Sequence, residues 1–124
     1  MNLNQTILAE LKQEAASTRN LLALVPFEKS DFKPHEKSMS LGRLARHVAE
    51  ISGWWKECLI LDELDFSKGD FTPKTLNSTE ELLDLHDRMV EQAEKILNET
   101  PESEFEKPWT MRNGEMIYFT MPKS

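Results

Sequence analysis

The sequence feature that most constrains the fold is an amphipathic segment over residues 38–59, SMSLGRLARHVAEISGWWKECL. At about 100° per residue, its apolar side chains gather on one helical face and its charged side chains on the opposite face. The face predicted to point inward carries Leu41, Leu44, Ala45, Val48, Ser52, Trp55 and Leu59. The face predicted to point to solvent carries Arg43, Arg46, Glu50 and Glu57. The segment therefore predicts a helix that lies on a hydrophobic core.

The two borders of this inward face differ in size. One border has small residues that would let a neighbouring backbone come close, namely Gly42, Ala49 and Gly53. The other border has His47, Ile51, Trp54 and Cys58. His47 is therefore predicted at the edge of the buried face, sheltered by Trp54, where an imidazole can reach a cavity or a metal. The simpler interpretation is a partly buried histidine that forms an ordinary hydrogen bond.

Two further helices are predicted on either side of this segment. Apolar residues recur at alternating spacings of about four and three from Leu3 to Val25, which predicts a helix over residues 4–25 that Pro26 ends. Residues 78–81 read STEE, a capping-box pattern that predicts a helix start at Thr79. This helix should stop before Thr100, because the proline that follows disfavours helical geometry for the residue before it.

His86 lies in the middle of the apolar face of this last helix. That face is predicted to carry Leu82, His86, Met89, Ala93, Ile96 and Leu97. We interpret His86 as a core histidine that bonds a neighbouring carbonyl or water, although antiparallel packing would also bring it near His47. The tryptophans Trp54, Trp55 and Trp109 are interpreted as core residues, with a ligand pocket as the alternative.

The C-terminal part changes character. Two short runs, residues 108–112 and 115–119, flank Asn113-Gly114, the dipeptide typical of a tight hairpin turn. We therefore predict a short hairpin or an extended lid. Thr120 with Pro122 resembles the start of a helix, yet no helical pattern follows. Three amphipathic helices favour an antiparallel bundle, and this unused start suggests that a fourth helix belongs to the design.

Composition limits the classes of function. The 124 residues allow one domain, over 1–124, with a net charge of −7 and no basic stripe, which argues against nucleic acid as a partner. The longest apolar stretch, residues 21–27, is too short to span a membrane, and the N-terminus lacks the pattern of a signal peptide. One cysteine, Cys58, cannot form an internal disulfide, which is typical of the cytoplasm.

Several motifs in a fixed order connect the sequence with a known family. They are LVP at 24–26, FKP at 32–34 leading into SMSLGRLARHVAE at 38–50, WW at 54–55, ELDF at 63–66, PWT at 108–110 and NG at 113–114. With these motifs the sequence resembles the DinB / YfiT-like superfamily over nearly its whole length.

The resemblance implies an all-α fold, an up-down four-helix bundle that is often dimeric. It also implies a divalent-metal site of three histidines, one matching His47 and a His-x-x-x-His pair on the last helix. Beyond Thr120 the family pattern would continue into that helix, whereas this sequence stops at Ser124. We therefore expect a DinB-like bundle with the last helix missing, a short hairpin near the C-terminus and an incomplete metal site at His47.

Two functions follow as hypotheses. The first is a metal-dependent hydrolase or thiol S-transferase, with zinc or nickel and a small-molecule or thiol substrate, in which His47 is one ligand and other ligands come from elsewhere. The second is a non-catalytic, dimeric bundle that acts in stress response or binds small molecules. For both we expect a cytoplasmic homodimer without a nucleic-acid or membrane partner.

Overall fold

The computed structural model describes residues 2–67 and 76–123. Its helices are α1 (Leu3–Leu22), α2 (Leu41–Glu50), α3 (Trp54–Leu59) and α4 (Thr79–Glu99), with short 3-10 segments at Phe27–Lys29, Ile51–Gly53 and Glu102–Glu106. Its strands are β1 (Glu63–Asp65), β2 (Pro108–Asn113) and β3 (Met116–Pro122). The chain is thus mostly helical, as predicted, with a small sheet that an all-α fold does not include. The loop expected over residues 66–73 lies mostly outside the described residues.

α1 and α4 pack in opposite directions and form the longest helix pair. The buried side chain of Asn4 donates from Nδ2 to the carbonyl oxygens of Leu97 (2.8 Å) and Thr100 (2.7 Å), which joins the start of α1 to the end of α4. Near the other end of α1, Arg19 contacts Asp87 of α4 at 3.0 Å. These polar contacts fix the register in which the apolar faces of the two helices meet.

α4 begins and ends where the sequence predicts. The Ser78 hydroxyl accepts a hydrogen bond from the backbone N–H of Glu81 at 3.1 Å, while the Glu81 carboxylate accepts from the N–H of Asn77 rather than from that of Ser78. The buried residues are Leu82, His86, Val90, Ala93, Ile96 and Leu97. The predicted inward face is therefore confirmed, apart from Val90, which is buried in addition, and Met89, which is half-buried.

The segment predicted as one helix over 38–59 is divided, and its buried face is rotated. The 3-10 segment at 51–53 separates α2 from α3. Ala45 and Ala49 are buried, whereas Leu44 and Ile51 are 48% and 53% exposed, so the prediction that Leu44 points inward is wrong. The reason is that small side chains let α4 approach: a Cβ added to Gly53 would lie 2.9 Å from Sδ of Met89.

The core has two clusters that set the direction of the helices. One combines Leu22, Ala45, Ala49 and Leu82. The other combines Leu59, Ile96, Leu97 and Phe105. Because the start of α2 meets the start of α4, and the end of α3 meets the end of α4, these helices run in parallel. The expected up-down, antiparallel order is therefore incorrect for this pair. α4 starts at the end of the bundle where α2 starts, so the connection after α3 returns the chain to that end.

The sheet has the order β1-β2-β3, with β1 parallel and β3 antiparallel to β2. The predicted hairpin is confirmed, and its turn uses Gly114 at φ +60°, a conformation that glycine adopts without strain. Thr120 pairs with Thr110 inside β3, so its interpretation as a helix start is wrong. β1 was not predicted, because a three-residue strand carries no periodic pattern and its partner β2 lies far along the chain.

The last described residue, Lys123, closes the sheet against α3. Its side chain is 1% exposed, and its Nζ lies 3.0 Å from Asp62 and 3.3 Å from Glu104. It also donates to the carbonyl oxygen of Leu59 at 3.4 Å. A buried ammonium with carboxylate and carbonyl partners is compensated, so this cluster acts as a structural tie.

Candidate functional site

His47, the predicted metal position, lies on the outward face of α2. It is exposed, between the exposed side chains of Leu44 and Ile51. It forms no hydrogen bond or ion pair with any residue in the described ranges 2–67 and 76–123. α2 is rotated so that its border of small residues faces the core. Its other border, which carries His47, therefore points outward, and the hydrophobic pattern alone did not indicate this.

Metal-ligating side chains do not converge in the part of the chain that the structure describes. Within it, no group of three or more His, Cys, Asp or Glu residues could hold a metal ion. Zinc sites in proteins use at least three protein ligands. The described residues therefore do not fit the divalent metal that the family resemblance implies, and His47 and His86 do not combine into one centre.

His86 is placed differently, because it is buried in the middle of α4. Its side chain is only 5% exposed, and its Nδ1 lies 3.1 Å from Oδ1 of Asp87. Asp87 in turn accepts hydrogen bonds from Arg19 of α1, at 3.0 Å from Nε and 3.3 Å from Nη2. The sequence prediction of a core histidine with a hydrogen-bond partner is thus correct, although the partner is a carboxylate rather than a carbonyl or water.

Asp87 determines which nitrogen of a neutral imidazole carries the proton. The hydrogen bond from Arg19, together with the weaker one from His86, holds the pKa of the Asp87 carboxyl below its ordinary value. Asp87 is therefore ionised at neutral pH and can only accept. We assign the proton of the neutral imidazole to Nδ1, which donates to Asp87, so Nε2 is an unprotonated acceptor.

The His86 ring lies between two hollows. The smaller, of about 240 Å³, also contains Arg19 and Asp87. The larger, of about 270 Å³, lies between α1, α4 and the α2–α3 segment, and we call it the His86 groove. The His86 groove is lined by Leu11, Glu14, Ala15, Thr18, Val48, Ile51, Ser52, Trp55 and His86. Its walls are mainly apolar, which is typical of small-molecule sites.

The orientation of the ring follows from these two linings. The Nδ1 edge faces Asp87, which lines the smaller hollow and not the groove. This leaves the opposite edge of the ring, which carries Nε2, for the His86 groove, and we take Nε2 to face it. Nε2 has no hydrogen-bond partner among residues 2–67 and 76–123. A ring nitrogen without a protein donor can accept a hydrogen bond from a ligand, so this nitrogen is the chemically distinctive atom of the groove.

The remaining aromatic and thiol candidates have other roles. Trp55 lines the His86 groove and packs on the second core cluster, so both interpretations of this tryptophan apply. Trp109 is buried and donates from Nε1 to the carbonyl oxygen of Glu57 at 3.0 Å, which anchors β2 to α3. Burial raises the pKa of the Cys58 thiol, and Glu57 raises it further, so Cys58 is not activated as a nucleophile.

The groove itself could not be read from the sequence. Its residues come from α1, α4 and the α2–α3 segment, and α1 contributes Leu11, Ala15 and Thr18 from the same face that was predicted to enter the core. The signal that was available is a histidine at the centre of an apolar face followed directly by an aspartate, His86-Asp87. The pattern of one helix does not show where a neighbouring helix leaves a gap beside it.

Fold and site together define a helical domain with a small appended sheet and a groove around one buried histidine. The DinB family model matches residues 1–122, and the chain therefore belongs to the DinB family. Comparisons with curated proteins and with solved structures gave no match. In the described residues no helix is long and apolar enough to cross a membrane.

Proposed function

We propose that this DinB-family domain binds a small organic molecule in the His86 groove. The observation that carries the proposal is the His86 ring, 4% exposed as a residue, which lines a mainly apolar hollow and whose Nε2 has no partner among the described residues. Apolar walls with a few convergent polar groups are the general form of a ligand site. The volume of about 270 Å³ exceeds that of an apolar cavity of ~150 Å³ that binds benzene.

Binding of a simple apolar probe tests this proposal. Fluorobenzene, followed by fluorine NMR, should show a broadened and shifted resonance when the protein is added. Ala15→Phe should abolish the effect, because Ala15 lines the groove and a phenyl group there would fill it. Ala9→Phe is the matched control, since Ala9 is exposed on the same helix and does not line the groove. Equal effects in both variants, or no binding of either fluorobenzene or 4-fluorophenol to the parent protein, would overturn the proposal.

A second candidate is the metal-dependent hydrolase or thiol S-transferase function. It is favoured by the exposure of His47 within an apolar stripe, Leu44–His47–Ile51, which leaves the imidazole accessible to ligands from outside the described residues. In this proposal zinc or nickel would bind with His47 as one ligand. After dialysis against zinc or nickel, metal bound per chain should be stoichiometric and should be lost in His47→Ala; substoichiometric metal that is unchanged by the substitution would exclude it.

Cellular context enters as part of the same proposal. We propose a cytoplasmic homodimer of DinB type with a role in stress response. The acidic composition, −7 over 124 residues, supports a small-molecule partner over nucleic acid.

A further inference from the structure

The chemistry of the ligand follows from the hydrogen bonds that His86 already makes. Nε of Arg19 lies 3.0 Å from Oδ1 of Asp87, and Nδ1 of His86 lies 3.1 Å from the same oxygen. Because Nδ1 is committed as the donor, Nε2 presents a lone pair to the groove. A ligand that satisfies it must bring an O–H or N–H group. A purely apolar ligand would cover this acceptor and leave it unpaired, which costs free energy.

The walls define the rest of the ligand. Leu11, Val48, Ile51 and Trp55 form apolar surface around the groove. Trp55 offers an indole face or edge against which an aromatic ring can pack. The size of the groove, about 270 Å³, is enough for one aromatic ring with a substituent.

Charge excludes one class of ring compound. Among the residues that line the groove, Glu14 is the ionisable group besides His86, and Arg19, Asp87, Glu91 and Glu94 line the smaller hollow on the other side of the ring. A carboxylate or phosphate ligand would meet Glu14 without a cation in the groove lining. The groove therefore favours a neutral ligand over an anionic one.

We propose that the His86 groove selects a neutral, single-ring aromatic alcohol whose hydroxyl donates to Nε2 of His86. This inference rests on the proposed small-molecule function and specifies its ligand class. In it, Asp87 and Arg19 are positioning residues, because they fix the imidazole without contacting the ligand.

Three probes of nearly equal shape test the inference in fluorine NMR titrations. 4-Fluorophenol carries the donor, fluorobenzene lacks it, and 4-fluoroanisole replaces the hydroxyl hydrogen with a methyl group. In the parent protein 4-fluorophenol should bind about fivefold more tightly than fluorobenzene, as one net hydrogen bond predicts. 4-Fluoroanisole should bind no better than fluorobenzene, because its oxygen cannot donate.

Substitutions at His86 test whether the preference arises there. His86→Leu should bind 4-fluorophenol and fluorobenzene equally, while His86→Gln, whose amide oxygen can accept, should keep part of the preference. His35→Gln is the matched control and should behave as the parent protein, because His35 is exposed and its Nδ1 accepts only from the N–H of Lys37. Far-UV circular dichroism establishes that each variant is folded.

The outcomes separate this inference from the proposed function. If all three probes bind with equal affinity in the parent protein, the groove binds small molecules but the hydroxyl class is wrong. If no probe binds, both proposals fall. If the preference for 4-fluorophenol persists in His86→Leu, the hydroxyl contacts another group and the inference is overturned. Should His86→Leu not fold, the probe ranking in the parent protein and in His86→Gln decides the same question.

Discussion

At the scale of single residues, Asp87 connects the two long helices. Its carboxylate accepts from Arg19 on α1 and from His86 on α4, so one side chain contributes both to helix pairing and to the orientation of the imidazole. The ion pair with Arg19 is nearly half exposed on both sides, at 49% and 48%. Exposed pairs of this kind contribute about 0–1 kcal/mol, so the main effect of Asp87 is on geometry rather than on stability.

The lowered pKa of Asp87 predicts the pH dependence of this contribution. Since the folded-state pKa lies below the unfolded value, the unfolded state binds more protons between the two. The stabilisation is therefore fully present above the ordinary aspartate pKa of about 3.9 and is lost as pH falls through the folded value. Asp87→Asn should lower the free energy of unfolding by less than about 1 kcal/mol at pH 7, and this difference should shrink as the pH falls below the ordinary aspartate pKa. Urea unfolding at pH 7 and at a series of acidic pH values measures this, and a difference that does not change with pH would contradict it.

At the scale of elements, small residues decide how α2 meets its neighbours. The inward face predicted from hydrophobicity centres on leucines, whereas the buried positions are Ala45 and Ala49. An alanine surface brings α4 closer and lets the larger side chains of α4 supply the apolar contact. Apolar periodicity located the helix, but the closest packing set its rotation.

Two glycines of this region predict different responses to the same substitution. A Cβ on Gly42 would lie 2.9 Å from Cβ of Ser30 and 3.3 Å from its carbonyl oxygen, which accepts the N–H of Gly42 at 2.8 Å. Gly42→Ala should therefore destabilise the fold by about 1–3 kcal/mol, because backbone must move.

Gly53→Ala is the matched control, because its added Cβ meets only Sδ and Cγ of Met89. A flexible methionine side chain can move aside. Alanine also gains up to about 1 kcal/mol of helix propensity over glycine. The net change should stay within about 1 kcal/mol in urea unfolding. Equal losses in the two variants would show that the contact with Ser30 does not govern the docking of α2.

At the scale of the whole molecule, β3 is the exposed apolar surface best suited to contact another chain. In the described sheet it pairs with β2 on one side only, and every residue from Met116 to Pro122 is exposed. Several are large and apolar, including Met116 at 64% and Met121 at 58%. Natural proteins seldom leave a long apolar edge strand open, because its free N–H and C=O groups pair with other chains.

The proposed homodimer is therefore expected to use this edge. Size-exclusion chromatography with light scattering should give twice the mass of one chain. Ile117→Lys, on β3, should shift the population toward the monomer, because a lysine at the joint edge would bring like charges together. Leu24→Lys is the control, since Leu24 is also apolar and 77% exposed but lies after α1. A dimer that survives Ile117→Lys and not Leu24→Lys would place the interface elsewhere.

The sequence by itself determined the local structure. Ser78, the apolar face of α4 and Thr100 before Pro101 located the last helix to the residue, and Asn113-Gly114 located the hairpin. Capping, proline geometry and turn preference act within a few residues, so a single sequence is enough to read them. The DinB resemblance was likewise carried by local motifs, and the family match over residues 1–122 confirms it.

Only the tertiary structure decided which faces meet. The exposure of His47, the strand at Thr120 and the groove beside His86 all depend on contacts between residues far apart in the chain. Hydrophobic periodicity gives each helix an inward face about 100° wide or more. A face this wide does not determine which of its two borders packs against the core. Close packing of Ala45 and Ala49 against α4 removes that freedom, and so it turns His47 outward while His86 remains inside.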